Sequence, residues 1–387
     1  MNKGNNIFGH ILTLFDRNEF RNIVMNHGND KFTKGFSSWD HFVSMMFSQL
    51  ALSKSLREIC DGLKSCLNKT LHLGMLRLPT KSNLSYANKH RSYELFEDLF
   101  YSFLKRLQSE HYPKKKKFRF KNKLYSLDAS IIDLCLSMFD WAHYRQTKGA
   151  VKLHLLLDHE GYLPTFVHIT DGKTHEVNIA KEMNLPTGSI VAVDRGYNDY
   201  ALFHRWSKSG ISFVTRLKSN AVYKVIETKP PPKNRKIISD EIILFIGSES
   251  RKKCPLPMRR VVAWDEENQR EIILLTNNMK LGASTISAIY KDRWEIEIFF
   301  KTIKQNLRIK TFIGTSSNAV KIQIWTALIT ILILKYLKFK SKLGWGLSNM
   351  IALLRLNLFV YTDLFIWLDD PFNLARGPDI IQPSLFD

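Results

Sequence analysis

Cysteine is scarce in this chain. There are four in 387 residues, Cys60, Cys66, Cys135 and Cys254, with no C-x-x-C pair and no histidine at ligand spacing. That argues against a disulfide-stapled scaffold and against a cysteine-built zinc site, and it fits a reducing cytoplasm. Acidic residues are few as well. The 36 Asp and Glu stand against 57 Lys and Arg, a formal charge of +21. An excess that large points to a polyanionic partner, nucleic acid before membrane. Long apolar runs are missing too. The longest, Ile322–Leu334, has 13 residues and is interrupted by Gln323, Thr326 and Thr330. A membrane span needs about 20, so a buried core helix is expected and no membrane association. Met1–Asn6 contains no apolar stretch, so no secretory signal is expected either.

What is present suits a large core: 44% of residues are hydrophobic, with 25 Phe and 8 Trp. The length allows two domains, or one with a sizeable insertion. Residues 1–110 read as short helices. Ser37-Ser38 precedes helically spaced apolar residues, and Ser55-Leu-Arg-Glu58 has the form of a capping box. Pro79 then leads a basic, amide-rich helix start. Its Lys81, Asn83, Tyr86 and Lys89 are of the kind that meet phosphates and base edges in a groove. An ordinary solvated surface is the competing reading. Residues 111–123 form a basic linker rich in Lys with Phe118 and Phe120 interleaved, suited to lie along a phosphate backbone.

From 124 to 220 the pattern alternates β-like runs with helices, an α/β texture. Asp128 and Asp194 each close a β-like run, the expected place for a site at the carboxyl ends of strands. Residues 221–280 lack a helical period and read as a β-rich insertion. Residues 281–360 resume the core, and 361–387 are expected as an extended tail.

The segment after the insertion, Tyr290–Lys304, is the densest in chemistry. Wound as one helix at about 100° per residue, it places Tyr290, Arg293, Glu297 and Lys304 within an arc of roughly 60°. Ile289, Ile296, Phe299, Phe300 and Ile303 fill the adjoining, core-facing arc. Arg293 and Glu297 alone could be a plain i, i+4 surface pair. With Asp128 and Asp194 they suggest more: three carboxylates brought from two strands and a helix can hold two Mg²⁺ ions for phosphoryl transfer on DNA. Trp264, just before this segment, could stack on an unpaired base; a core tryptophan is the alternative.

Tyr290, Arg293, Glu297 and Lys304 fit the spacing Y-x2-R-x3-E-x6-K at every position. With Leu127-Asp128-Ala-Ser130 and Val193-Asp194-Arg-Gly-Tyr197, they resemble the bacterial cut-and-paste DDE transposases of the insertion-sequence-four type, over about residues 128–310. The resemblance implies a ribonuclease-H-like mixed sheet with flanking helices and a β-rich insertion, beside an N-terminal all-α DNA-binding lobe. It implies metal ligation by Asp128, Asp194 and Glu297, with Mg²⁺ (Mn²⁺ substituting), and Tyr290, Arg293 and Lys304 on phosphates near the cut. Excision through hairpin-ended DNA, joining to target DNA and a homodimer on the element ends are implied as well, in a bacterial cytoplasm at the nucleoid. A metal-dependent nuclease without strand transfer and a non-enzymatic DNA-binding repressor are the competing functions.

Overall fold

The computed structural model describes residues 5–372, apart from 32, 34, 67, 68, 111–116, 136, 137, 140, 146, 147, 231, 233–235, 308 and 310. Residues 111–116 of the expected linker and 373–387 of the expected tail lie outside the described residues. The packing forms two units, Met1–Tyr112 with Ile303–Asp387, and Pro113–Thr302.

In chain order the first unit begins with α1 (Ile7–Leu12), α2 (Arg17–His27), α3 (Ser38–Leu50), α4 (Leu56–Ser65), α5 (Lys81–His90) and α6 (Glu94–Ser109). The second unit runs β1 (Leu124–Leu134), β2 (His143–Arg145), β3 (Lys148–Asp158), β4 (Leu163–Asp171), α7 (Glu176–Glu182), β5 (Ile190–Val193), α8 (Tyr200–Lys208) and β6 (Ser212–Arg216). It continues with β7 (Tyr223–Lys229), β8 (Ile237–Phe245), α9 (Ser248–Lys253), β9 (Met258–Asp265), β10 (Arg270–Thr276), α10 (Ala283–Asp292) and α11 (Trp294–Asn306), whose residues from Ile303 on count with the first unit. The chain then returns to the first unit with α12 (Ser317–Lys340), α13 (Leu347–Asn357) and α14 (Leu364–Asp369).

Local chemistry sets the helices of the first unit. The Ser37 side chain accepts from Asp40 N while Asp40 reaches back to Ser37 N, a complete capping box. At α4 the expected box is half made: Ser55 accepts from Glu58 N, but the Glu58 carboxylate takes the Lys54 N–H instead. The apolar run found in the sequence lies within α12, which is buried all round against α3, α5, α6 and α13. Its threonines are satisfied there, Thr326 donating to Ile322 O and Thr330 to Thr326 O. Although α12 is long and apolar enough to cross a membrane, the protein itself buries it. Asn318 at its start donates to Asn88 O and Arg91 O, fixing the C-terminal end of α5.

Two boundaries therefore differ from expectation. Residues 303–360, expected with the catalytic core, pack with the N-terminal helices. The tail expected to be extended from 361 carries α14, whose Leu364, Trp367 and Leu368 are buried. An apolar i, i+3, i+4 set makes a helix even beside prolines.

The second unit is built on one ten-stranded sheet. Its order is β2-β3-β1-β5-β6-β10-β9-β8-β7, with β4 also paired to β3. β1 runs antiparallel to β3 and parallel to β5, and β5 is parallel to β6. This is the expected ribonuclease-H-like arrangement of antiparallel strands followed by parallel ones. The insertion's strands extend that sheet: β10 joins β6 antiparallel, and β9, β8 and β7 follow. Arg259 fastens them, forking onto Asp240 at 2.7 Å twice and donating to Asn278 O and Leu281 O ahead of α10. Period-two alternation divides the core. Tyr125, Leu127, Val191 and Val193 pack beside Leu202 and Phe203 of α8. Leu124, Ile190, Ala192 and Val214 take the other face, with Ile286 and Ile289 of α10.

Candidate active site

Strand register assembles the first two carboxylates. The last parallel pair between β1 and β5 is Leu127 with Val193, and Asp128 and Asp194 are the next residue on each strand. Leu124, Ile190 and Ala192 face α10, so period-two alternation aims Asp128 and Asp194 to that same side. Asp128 was expected at a strand end. It lies inside β1, which continues to Leu134 paired only with β3, so what ends at Asp128 is the parallel pairing. Asp194 does end its strand, and its carboxylate accepts from Gly196 N at 3.4 Å to start a 3-10 turn. On β6, Val214 pairs with Ala192, and two residues on Arg216 closes the strand. A cation therefore follows the two acids across three strands.

The signature segment is bent, not one straight helix. Arg293 caps α10, its N–H reaching both Ile289 O and Tyr290 O, and Ile296 N returns to Arg293 O. These i→i+3 bonds tighten the chain, so Tyr290 lies in the last turn of α10 while Glu297 lies in the first turn of α11. Lys304 follows in the last turn of α11. The bend carries the guanidinium inward: the Arg293 side chain is only 7% exposed. Nη2 lies 2.6 Å from Glu297 Oε1 and Nη1 3.5 Å from Asp128 Oδ2. The pair is thus no plain surface pair, because it also spans to the sheet.

The electrostatics follow from this crowding. Burial pushes the Asp128 carboxyl up to about 7; Arg293 opposes, while the charges on Asp194 and Glu297 add to the rise. Burial works against the charge on Arg293, but its bond to Glu297 and the neighbouring Tyr290 and Asp128 hold the guanidinium above its usual range. Burial raises Tyr290, with Arg293 and Arg216 pulling the other way. The hydroxyl of Tyr197 is buried without a partner and is pushed well above its usual range by burial and by Asp128, Glu176 and Asp194.

Among the described residues no three His, Cys, Asp or Glu side chains close on one point as a metal-ligand set. The guanidinium of Arg293 stands between Asp128 and Glu297. In kind the donors still fit a hard divalent cation: they are carboxylate oxygens, and burial together with the charges on Asp194 and Glu297 raises Asp128, a strain that a bound cation would relieve.

The remaining expected site residues fall elsewhere. Trp264, near the end of β9, is 38% exposed, which removes the core reading. Lys81, Asn83, Tyr86 and Lys89 are all exposed on α5 of the first unit, with the Tyr86 ring 4.5 Å from His90. Asp158 is buried and held by Lys123 Nζ at 3.2 Å and Glu160 N at 2.8 Å. Sequence reasoning missed Arg216, whose Nε is buried without a partner, and Trp294, 58% exposed beside Arg293. Trp294 had a visible signal, an aromatic inside the signature. Arg216 had none without the register.

The model of the "Transposase DDE domain" family matches residues 119–333. Residues 3–76 match a second model, "Domain of unknown function (DUF4372)". The chain is 31% identical to a protein of Sinorhizobium fredii named as transposase y4zB, over 50% of this chain and 55% of that one. It is 28% identical to a protein of Geobacillus stearothermophilus named for the insertion sequence element IS5377, over 59% and 60%. With a Synechocystis protein named for element IS4SA it shares 26% identity over 68% and 73%. The chain thus spans just over half of the first two relatives' length. A piggyBac transposase synaptic complex with hairpin DNA superposes at a TM-score of 0.45 and 11% identity, covering 90% of this chain and 79% of that one, too distant to bear on residue roles.

Proposed function

The chain belongs to the transposase DDE-domain family, and from that membership we propose that it is an insertion-sequence transposase that binds element ends, cuts them and joins them to target DNA. The observation that carries the reading is the register that sets Asp128 beside Asp194 on the face where the bend delivers Arg293 and Glu297. Asp128, Asp194 and Glu297 would hold Mg²⁺, with Mn²⁺ as a substitute, and the bound ions supply activation of the attacking oxygen and charge neutralisation at the leaving one. The protein's own part is positioning. Arg293 offers a rigid fork of donors in a nearly dry setting, and its Nε–H has no partner among the described residues. A phosphate oxygen is the natural acceptor for such a group. Tyr290, Lys304 and Arg216 would steady neighbouring phosphates, and Trp264 would stack on an unpaired base. Lys81, Asn83, Tyr86 and Lys89 would read the element end from α5.

Excision through a hairpin, a homodimer on the paired ends and action at the nucleoid in the cytoplasm complete the proposal. The test uses the full chain with linear DNA carrying the sequences that flank its coding region. Cleavage and joining should appear with Mg²⁺ and vanish with EDTA or in Asp194→Asn. Cutting without joining would favour a plain nuclease, and binding without cutting a repressor.

A further inference from the structure

A serine, a histidine and an aspartate lie in line in the second unit. Ser126 Oγ is 2.7 Å from His159 Nε2, and His159 Nδ1 is 2.5 Å from Asp292 Oδ2. The Asp292 carboxylate accepts, so Nδ1–H donates to it, and this leaves Nε2 to pair with the Ser126 hydroxyl. The order matches a nucleophilic triad, but the setting does not. Ser126 is 0% exposed, His159 6% and Asp292 3%, so no acyl substrate can reach the hydroxyl.

What the line connects is informative. Ser126 sits on β1 two residues before Asp128 and shares its face. Asp292 is the last residue of α10, immediately before Arg293 at the bend. His159 comes just past β3 and joins the two. A buried carboxylate at a helix C-terminus is opposed by the helix dipole. It persists here because other donors converge on it as well: Lys117 Nζ at 2.5 Å and Tyr162 Oη at 3.3 and 3.4 Å. Broken local rules with dedicated compensation mark places that serve the site.

We infer that Ser126, His159 and Asp292 form a positioning relay that ties the α10–α11 bend to β1 and so fixes Arg293 and Glu297 against Asp128. None of the three touches substrate. The relay acts through the spacing of two elements that bear opposite halves of the site, and a displacement of about 1 Å there can cost about a hundredfold in rate.

The kinetic part of this inference rests on the transposase reading; the structural part does not. The experiment takes the full chain as wild type, His159→Gly, Ser126→Ala and Asp194→Asn. Amide hydrogen exchange is followed without DNA, and kcat and KM are measured for cleavage of end DNA. In His159→Gly, exchange should quicken across 290–298 but not in β5 or α8. Its kcat should fall roughly 10–100-fold with KM nearly unchanged, and added imidazole should restore part of it. Ser126→Ala removes one hydroxyl, keeps the fold, and should show the same local signature more weakly. Unchanged exchange at 290–298, or a uniform rise with no imidazole rescue, overturns the relay. Wild-type protein that leaves end DNA uncut, or Asp194→Asn that cuts normally, refutes the transposase reading instead. The exchange pattern then decides the relay alone.

Discussion

Replacing Asp128 by Asn should stabilise the metal-free protein, and by an amount that depends on pH. The carboxyl is buried beside two other carboxylates and titrates in the folded protein near 7, against 3.8 as a free side chain. A folded-state pKa above the unfolded one means that the acid prefers to be neutral when folded. Its contribution is fully present below about 3.8 and is lost as pH rises through 7. Roughly three pH units at about 1.4 kcal/mol each give about 4 kcal/mol by pH 8. An asparagine keeps the shape, carries no charge and does not titrate. The stability gap between variant and wild type should therefore be near zero at pH 4 and grow to about 4 kcal/mol at pH 8.

Thermal unfolding in EDTA at pH 4, 6 and 8 measures this. For a unit of this size the pH 8 gap corresponds to a Tm difference of about 8–16 °C. Saturating Mg²⁺ or Mn²⁺ should then raise the wild-type Tm and leave the variant almost unmoved, because the ion binds the charged site and not the amide. A gap that is constant with pH, or that favours wild type at pH 8, would show that Asp128 is not a crowded acid. The electrostatic picture of the site would fail with it.

Three further outcomes are expected. Arg293→Ala should retain binding of end DNA and still nick it, but stall at the later strand-exchange steps, seen as an altered ratio of nicked to fully cut product on a denaturing gel; wild-type ratios would return Arg293 to a plain ion pair. Replacing Lys81 and Lys89 together by Ala should flatten the log–log salt dependence of end binding by about 2, since each phosphate contact contributes about 0.9; an unchanged slope would remove α5 from the contact surface. Asp240→Ala leaves the buried Arg259 charge without its carboxylate and should cost about 3–5 kcal/mol in denaturant titration, whereas a loss under 1 kcal/mol would mean that Arg259 is held by carbonyls alone.

The signature spacing was legible because its information is local. Tyr290, Arg293, Glu297 and Lys304 fall in 15 consecutive residues, and their spacing survives whether or not the helix is straight. The bend at Arg293 was not legible. Nothing in Lys291-Asp-Arg-Trp294 breaks a helix by propensity; the i→i+3 bonds at the junction are seen only in the fold. The mixed sheet was legible from strands ending in carboxylates, but not the continuity of the insertion with it. Edge pairing of β10 with β6 depends on residues 60 positions apart, such as Leu275 with Thr215. The packing of residues 303–360 with the N-terminal helices was not legible for a related reason. α12 is apolar on every side, so its sequence says that it is buried and not in which core.

That last point changes how the DNA-reading role proposed for α5 has to be tested. A fragment of residues 1–110 looked self-sufficient as a helical domain by sequence. In the fold, α12 packs against α3, α5 and α6, and Asn318 holds the end of α5 that carries Lys89. Cutting at 110 removes the core of the unit, so a silent fragment would report lost folding and not lost recognition. The same logic governs the carboxylate site. Asp128 and Asp194 share a face by register, but Glu297 is linked to Asp128 only through Arg293 at the bend, and the bend is tied to β1 by a histidine from a third place in the chain. Local spacing can announce which groups are candidates for the chemistry. The distances between them are set by residues such as His159, whose partners lie 33 and 133 positions away.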